Sequence, residues 1–255
     1  MILAIDVGNT NIVAGCIEQG DIRNIFRIST MAGETEAEYA IKIKQVLEFY
    51  GVDPRGFEGA IISSVVPQVT EAVSRAVRDI TGIRCMIVGP GMKTGLNLRV
   101  DDPGTVAGDL IVGSVAAMSC YGAPVIVLDM GTATTMVVID KNNCYIGGAI
   151  IPGVNLSYAA LASGTSLLPM ISIEAPKKVI ATETVDSMRS GAVYGTAAMI
   201  DGMIDRMEDE LGYGCKVVAT GGIAKAIVSQ CKHDIILDND LLLKGLWVLY
   251  EKNKK

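Results

Sequence analysis

Histidine is nearly absent: His233, in the polar stretch QCKHDI, is the only one in 255 residues. A Ser-His-Asp triad or a histidine-bound zinc centre therefore has no second histidine to draw on, and His233 reads as a surface residue. The six cysteines (Cys16, Cys85, Cys120, Cys144, Cys215 and Cys231) include no CxxC pair. A chain this long and apolar needs no disulfide staples, so they read as reduced, mostly buried thiols with no zinc site. Basic charge is also short. Lys and Arg total 22 against 28 Asp and Glu, a net charge of −6, which opposes the clustered cationic surface that nucleic acid or an anionic membrane requires. No basic leader precedes Asp6, and the apolar run PVIVLDMGTATTMVVI is broken by Asp129, with no stretch near about 20 uninterrupted apolar residues. The expectation is a soluble, cytoplasmic protein with neither nucleic acid nor membrane as partner.

What is present is a core-forming composition. Half of the residues are hydrophobic, only 20% are charged, and 28 are glycine, as in an ordered globular protein with many tight turns. The chain also repeats itself. ILAIDVGNTNIVAGCIEQGD and VIVLDMGTATTMVVIDKNNC share one plan: an apolar run, Asp, an apolar residue, Gly, a small polar cluster, then a second apolar strand. Asp6 matches Asp129 and Gly8 matches Gly131, both 123 residues apart, which implies a duplicated domain.

Each copy reads as a β-hairpin with its polar tip exposed. After the first come a strand in RNIFRIST and an amphipathic helix in GETEAEYAIKIKQVLEFYGV with an acidic start and a Gly51 stop. GAIISSVVP reads as a strand, QVTEAVSRAVRDITG as a helix and RCMIVG as a strand. After the second come YIGGAIIPG, a helix through NLSYAALASGT, a longer helix near TVDSMRSGAVYGTAAMIDGMIDRMEDELG, a strand in KVVATGG and terminal helices. This pattern predicts an α/β protein of two related lobes, residues 1–115 and 116–255, each a mixed β-sheet flanked by helices. Met199, Met203 and Met207, at helical spacing, read as core or dimer packing, and the tail YEKNKK reads as a solvated helix end.

The hairpin tips carry the chemistry. A glycine lets backbone N–H groups close on an anion, and Asn and Thr side chains add neutral donors, so DVGNTN suits phosphate oxygens. Asp6 repels phosphate directly; its natural task is to hold a hydrated Mg²⁺ that bridges the phosphates. DMGTATT offers the same set: Asp129 for a cation, Gly131 for close approach, Thr132 and Thr134 as hydroxyl donors. One Asp-x-Gly is usually only a turn. Two, each at a strand end and followed by another strand, favour a polyphosphate gripped from two lobes. VATGGIA adds a third glycine-rich turn, with Gly221 and Gly222 suited to an adenosine or its phosphates at a helix start.

DVGNTN, ISSVVP at 62–67, DMGTATT at 129–135, GGAIIPG at 147–153, SMRSG at 187–191 and TGG at 220–222 resemble, in order and spacing, the type III pantothenate kinases. These belong to the acetate and sugar kinase, Hsp70 and actin superfamily. The resemblance covers essentially the whole chain and implies a duplicated actin-like, ribonuclease H-like fold. It further implies a homodimer that phosphorylates pantothenate with ATP, the first step of coenzyme A synthesis, using Mg²⁺ and a monovalent cation, K⁺ or NH₄⁺. Carried over residue by residue, Asp6 positions the metal, and Gly8, Asn9, Thr10 and Asn11 wrap the ATP phosphates. Asp109 corresponds to the general base for the pantothenate hydroxyl, Asp129 to the monovalent-cation ligand, and Thr132 and Thr134 to phosphate contacts. Thr184 corresponds to the residue that reaches pantothenate from the partner subunit.

The segment VDDPGTVAGDL departs from the family pattern of a Tyr, then Asp-x-Pro, then Gly-Ala-Asp-Arg. Val100 stands for the Tyr and Leu110 for the Arg, beside Gly108 and the retained Asp109. Both replaced side chains line the pantothenate site in the resemblance, and Leu110 lacks the guanidinium's fixed charge and five donors. Arg99 is one strand position away, which turns it to the opposite face. Asp101 and Asp102 belong to DDPG, an ordinary turn sequence. The competing reading is a homologue of this fold with an altered acceptor or little turnover, acting as a nucleotide-binding regulatory protein. Asp109 speaks for catalysis, because a pure binder has no use for a carboxylate beside the transferred phosphate.

Overall fold

The computed structural model describes residues 1–254. Along the chain come β1 (Ile2–Val7), β2 (Asn11–Glu18), β3 (Asp21–Ser29), α1 (Glu36–Phe49), β4 (Gly59–Ser64), α2 (Pro67–Thr81), β5 (Met86–Ile87), β6 (Asn97–Leu98) and α3 (Gly108–Tyr121). They are followed by β7 (Val125–Met130), β8 (Ala133–Ile139), β9 (Cys144–Pro152), α4 (Val154–Ser163), α5 (Thr184–Ser190), α6 (Thr196–Leu211), β10 (Lys216–Thr220), α7 (Ala224–Val228), β11 (Ile235–Leu237) and α8 (Leu241–Asn253). The architecture is α/β with two mixed sheets flanked by helices, as expected.

Two compact units result. One holds Met1–Leu96, Asp101–Ser119 and the segment from Asp240 onward; the other holds Asn97–Val100 and Cys120–Asn239. A single cut near residue 115 divides the chain differently in two places. The last helix, α8, belongs with the first unit because its apolar face lies on β1, β2 and β4, and β6 joins the second unit by pairing with β9.

In the first unit the sheet order is β3-β2-β1-β4-β5. β1 runs antiparallel to β2 and parallel to β4, so it is buried on both faces and reads as a continuous apolar run rather than an alternating one. Leu3, Ile5 and Val7 join Ile62 and the α1 and α2 side chains Tyr39, Ile43, Leu47, Val69 and Val73 in one core. Ile2 and Ala4, fully buried too, face the other way. Their register partners show what covers them. Gly15, opposite Ala4, abuts Leu243 of α8, and Gly59, beside Ile2, abuts Tyr250. Each fully buried Ile or Leu adds about 1.5–3 kcal/mol of apolar transfer free energy, which is why the polar turn after β1 can be held in a fixed place. α1 starts as its sequence asks. The Thr35 amide donates to Glu38 Oε2 at 2.7 Å, and the Glu38 amide donates to Thr35 Oγ1 at 3.4 Å, a reciprocal cap.

The second unit orders its strands β11-β10-β7-β8-β9-β6. Ile126, Leu128 and Met130 of β7, Met136 and Val138 of β8 and Val217 and Ala219 of β10 form its core with Val193, Ala197, Ile200 and Ile204. Met199, Met203 and Met207 pack against this core. The long helix expected over 184–212 contains a π-helical turn at Gly191–Gly195 between α5 and α6. RCMIVG supplies only the two-residue β5. The tail is less solvated than its charge suggests, since the Asn253 carboxamide both accepts from the Lys93 amide and donates to its carbonyl, each at 2.9 Å. All six cysteines are free thiols, and only Cys120 is exposed. No helix among the described residues is long and apolar enough to cross a membrane.

Candidate active site

At the carboxyl end of β1 the chain turns through Gly8, Asn9 and Thr10. The Gly8 amide donates to the Asn11 carbonyl at 3.0 Å, closing the hairpin. Thr30, just past β3, then takes the loop's carbonyls: its amide donates to Thr10 O at 3.0 Å and its hydroxyl to Gly8 O at 2.7 Å. With those oxygens turned inward, Asn9, Thr10 and Asn11 stay exposed, the arrangement an anion-binding turn requires. Thr30 is a member of this site that sequence reasoning missed. Its signal was the position at the end of RNIFRIST, beside the first hairpin.

Asp6 is half-buried. Strand alternation places it with Ile2 and Ala4, on the face covered by α8. Its register partner on β4 is Ser63, wholly buried on that same face. Ser63 Oγ lies against Gly108 at the start of α3: a Cβ built on Gly108 would sit 3.6 Å from it. Asp109 is the next residue, in the first turn of α3. The first unit therefore brings Asp6, Ser63, Gly108 and Asp109 into one neighbourhood, with Leu110 following on the helix. Burial pushes the Asp109 carboxyl above its ordinary value, opposed by backbone hydrogen bonds from Leu110 and from its own amide. The Leu110 amide donates to Asp109 Oδ1 at 2.8 Å. Val100 belongs to the second unit.

In the second unit the matching turn is one residue shorter. β7 pairs Met130 with Thr134, and the Gly131 amide closes on the Ala133 carbonyl at 3.0 Å, whereas β1 and β2 close from Gly8 to Asn11. The offset of 123 that aligns the two Asp and the two Gly is lost beyond the turn. That slip decides which threonine faces where. Thr134 falls on the core face with Met136 and is 1% exposed, its hydroxyl without a hydrogen-bond partner. Thr135 is the residue registered beside Asp129, and it is half-buried. Thr134 is thus turned into the core rather than outward at the tip, and Thr135 offers its hydroxyl on the Asp129 face.

Two further segments close on this turn. Gly153, the residue before α4, donates to Thr132 O at 3.1 Å. A Cβ there would lie 2.3 Å from Thr132 O and 2.5 Å from Gly131 O, so only glycine allows the approach. Gly221 follows β10 with φ of 107°, and its Cβ would lie 2.5 Å from Met130 O. Thr220 pairs with Asp129. Gly131, Thr132, Gly153 and the Gly221–Gly222 turn therefore gather at the ends of β7 and β10. GGAIIPG and TGG, which look unrelated along the chain, meet here.

Among the described residues no group of three His, Cys, Asp or Glu side chains could cage a metal. Mg²⁺ bound with a nucleotide takes one or two carboxylates and completes its shell with water and phosphate. Asp6, beside an anion-binding turn, is suited to this. Asp129 is half-buried, one residue before the end of β7 and beside Thr135.

Thr184, the first residue of α5, lies elsewhere in the second unit. It lines an open cavity of about 570 Å³ with Tyr158, Leu161, Thr182, Ser187 and Met188. Burial raises the Tyr158 phenol above its ordinary value. Large apolar side chains stand exposed on nearby segments: Ile150 on β9, Leu156 on α4, and Leu167, Met170 and Ile180 beyond it.

The family model for type III pantothenate kinase matches residues 2–206. Among solved structures, this chain is similar to a protein from Sinorhizobium meliloti provisionally described as a 2-dehydro-3-deoxygalactonokinase, with a TM-score of 0.65, 14% identity and 98% of each chain covered. It is similar to a protein from Campylobacter jejuni provisionally described as a Baf family transcriptional activator, with a TM-score of 0.58, 20% identity and 98% of each chain covered. A third likeness is to component A of (R)-2-hydroxyglutaryl-CoA dehydratase from Acidaminococcus fermentans, with a TM-score of 0.57, 15% identity, 98% of this chain and 96% of that one. At these identities the three structures speak to the fold alone.

Proposed function

Because this chain belongs to the type III pantothenate kinase family, and so is a kinase of coenzyme A biosynthesis that uses ATP with a divalent metal, we propose that it transfers the γ-phosphoryl group of ATP to the hydroxyl of pantothenate. The observation that carries this reading is that Ser63, registered beside Asp6 on the first sheet, lies against Gly108, the residue before Asp109. A metal-suited carboxylate next to a phosphate-suited turn and a half-buried carboxylate at the start of α3 are the two halves of a phosphoryl-transfer site.

In this reading Asp109 accepts the proton of the pantothenate hydroxyl as its oxygen attacks the γ-phosphorus, and ADP leaves on the opposite side. Asp109 is suited to this because burial raises its pKa above that of a solvated carboxyl, which strengthens it as a proton acceptor. Gly8, Asn9, Thr10 and Asn11 present the first turn to the phosphates; Gly131, Thr132 and the Gly221–Gly222 turn present the second unit's donors. Thr135, rather than Thr134, is the hydroxyl we assign beside Asp129. Asp6 would hold the nucleotide's Mg²⁺, which would supply charge neutralisation at the phosphates, and Asp129 is the residue we assign to K⁺ or NH₄⁺. The exposed apolar side chains of β9, α4 and the segment after it are the surface we assign to a homodimer, in which Thr184 serves the partner's acceptor. Gly108 and Leu110 flank the base, and we assign them to the acceptor.

The direct test is turnover of purified protein with ATP, Mg²⁺ and K⁺, against pantothenate and a panel of other small alcohols. Phosphorylation of pantothenate ahead of the panel supports the reading. ATP binding with no phosphorylated acceptor would replace it with that of a regulatory nucleotide binder.

A further inference from the structure

The two serines of ISSVVP have different surroundings. Ser64 Oγ accepts from the Val66 amide at 3.1 Å and from the Thr70 hydroxyl at 2.7 Å, so it ties the turn before α2 to the helix. Ser63 Oγ is wholly buried and makes no hydrogen bond. A buried hydroxyl with no partner costs stability, and native structures retain few of them. Alanine would fill the same space without that cost. A side chain that the fold would do better without calls for another use.

Its position supplies one. Asp6 is directly beside it in the parallel β1–β4 pair, on the same face, with the strands about 4.8 Å apart. On its other side it meets Gly108, one residue before the base. We infer that Ser63 is a positioning residue of the phosphoryl-transfer site, its hydroxyl being the buried donor that holds the Asp6 carboxylate in its nucleotide-binding orientation. This rests on the kinase reading above. It assigns the hydroxyl a task only when nucleotide is bound, which accounts for its lack of a partner in the free chain. Supporting residues behind a metal-binding carboxylate typically contribute about 10–100-fold to affinity or activity.

The test compares the full chain with Ser63→Ala by three measurements: melting temperature without nucleotide, affinity for Mg·ATP by calorimetry, and kcat and KM for pantothenate. Ser63→Ala is expected to melt no lower than the wild type, to bind Mg·ATP about tenfold more weakly, and to lower kcat with little change in the KM for pantothenate. Mg·ATP affinity within twofold of wild type would overturn the inference. So would a loss of several degrees in melting temperature, which would mark the hydroxyl as structural. If the wild type binds Mg·ATP but phosphorylates no pantothenate, the acceptor assignment fails while the affinity comparison still judges Ser63. If the wild type binds no Mg·ATP, both fall.

Discussion

A carboxyl group that loses water on folding holds its proton to higher pH, and Asp109 at the start of α3 is such a group. Its folded pKa exceeds the unfolded value of 3.8, so the folded state binds the proton more tightly. The stability linked to this proton is fully present below pH 3.8 and is lost as pH rises through the folded pKa. Above the folded pKa the wild type therefore carries a half-buried charge that Asp109→Asn removes. In that range the variant is expected to melt higher than wild type. The gain should shrink as pH falls through the Asp109 pKa and vanish below the unfolded one, as scanning calorimetry across pH would show. The same substitution should reduce turnover by about 10²–10⁴-fold, the usual contribution of a general base. Retained turnover would remove Asp109 from that role, and a pH-independent melting difference would contradict its desolvation.

At the scale of the element, the two hairpins show how one residue of turn length changes a site. DVGNTN closes from Gly8 to Asn11, and DMGTATT from Gly131 to Ala133. Because side chains alternate along a strand, the shorter turn exchanges the faces of Thr134 and Thr135. The helices impose a different constraint. Gly245, buried inside α8, sits where a Cβ would lie 2.2 Å from the Val112 carbonyl of α3. Alanine in a helix normally gains about 0.5–1 kcal/mol over glycine. Here backbone must move, at a cost of about 1–3 kcal/mol for overpacking. Gly245→Ala is expected to lower the melting temperature by several degrees and to reduce kcat, since α3 carries Asp109. A variant that melts higher than wild type would show that α3 and α8 do not pack this closely.

At the scale of the whole molecule, apolar exposure is uneven. In the second unit Ile150 is 75% exposed, Leu167 89% and Ile180 84%, an apolar surface of the kind that marks association. Sedimentation is expected to give a mass about twice the 26.9 kDa of one chain. Ile150→Glu, which places a charge on that surface, should shift the population toward single chains and reduce turnover without lowering the melting temperature. A wild type that sediments as a single chain at all concentrations would refute the dimer.

The amino-acid sequence alone determined the α/β class, the duplication and both Asp-bearing turns, because each depends on short-range pattern: apolar runs that end in Asp-x-Gly, and helices with their stops. It also carried the family, through six short motifs in fixed order. Tertiary structure decided what those motifs do together. Ser63 stands beside Asp6 only through parallel pairing across more than fifty residues of chain. Gly153 and Gly221 converge on one turn from separate strands, and Thr30 is recruited to brace the first loop. The face of Thr134 depended on a turn one residue shorter than its counterpart, and α8 joined the first unit by packing on strands more than 170 residues earlier. Periodicity records which way a residue points within its own element, but register and packing between distant segments arise only when the chain closes on itself.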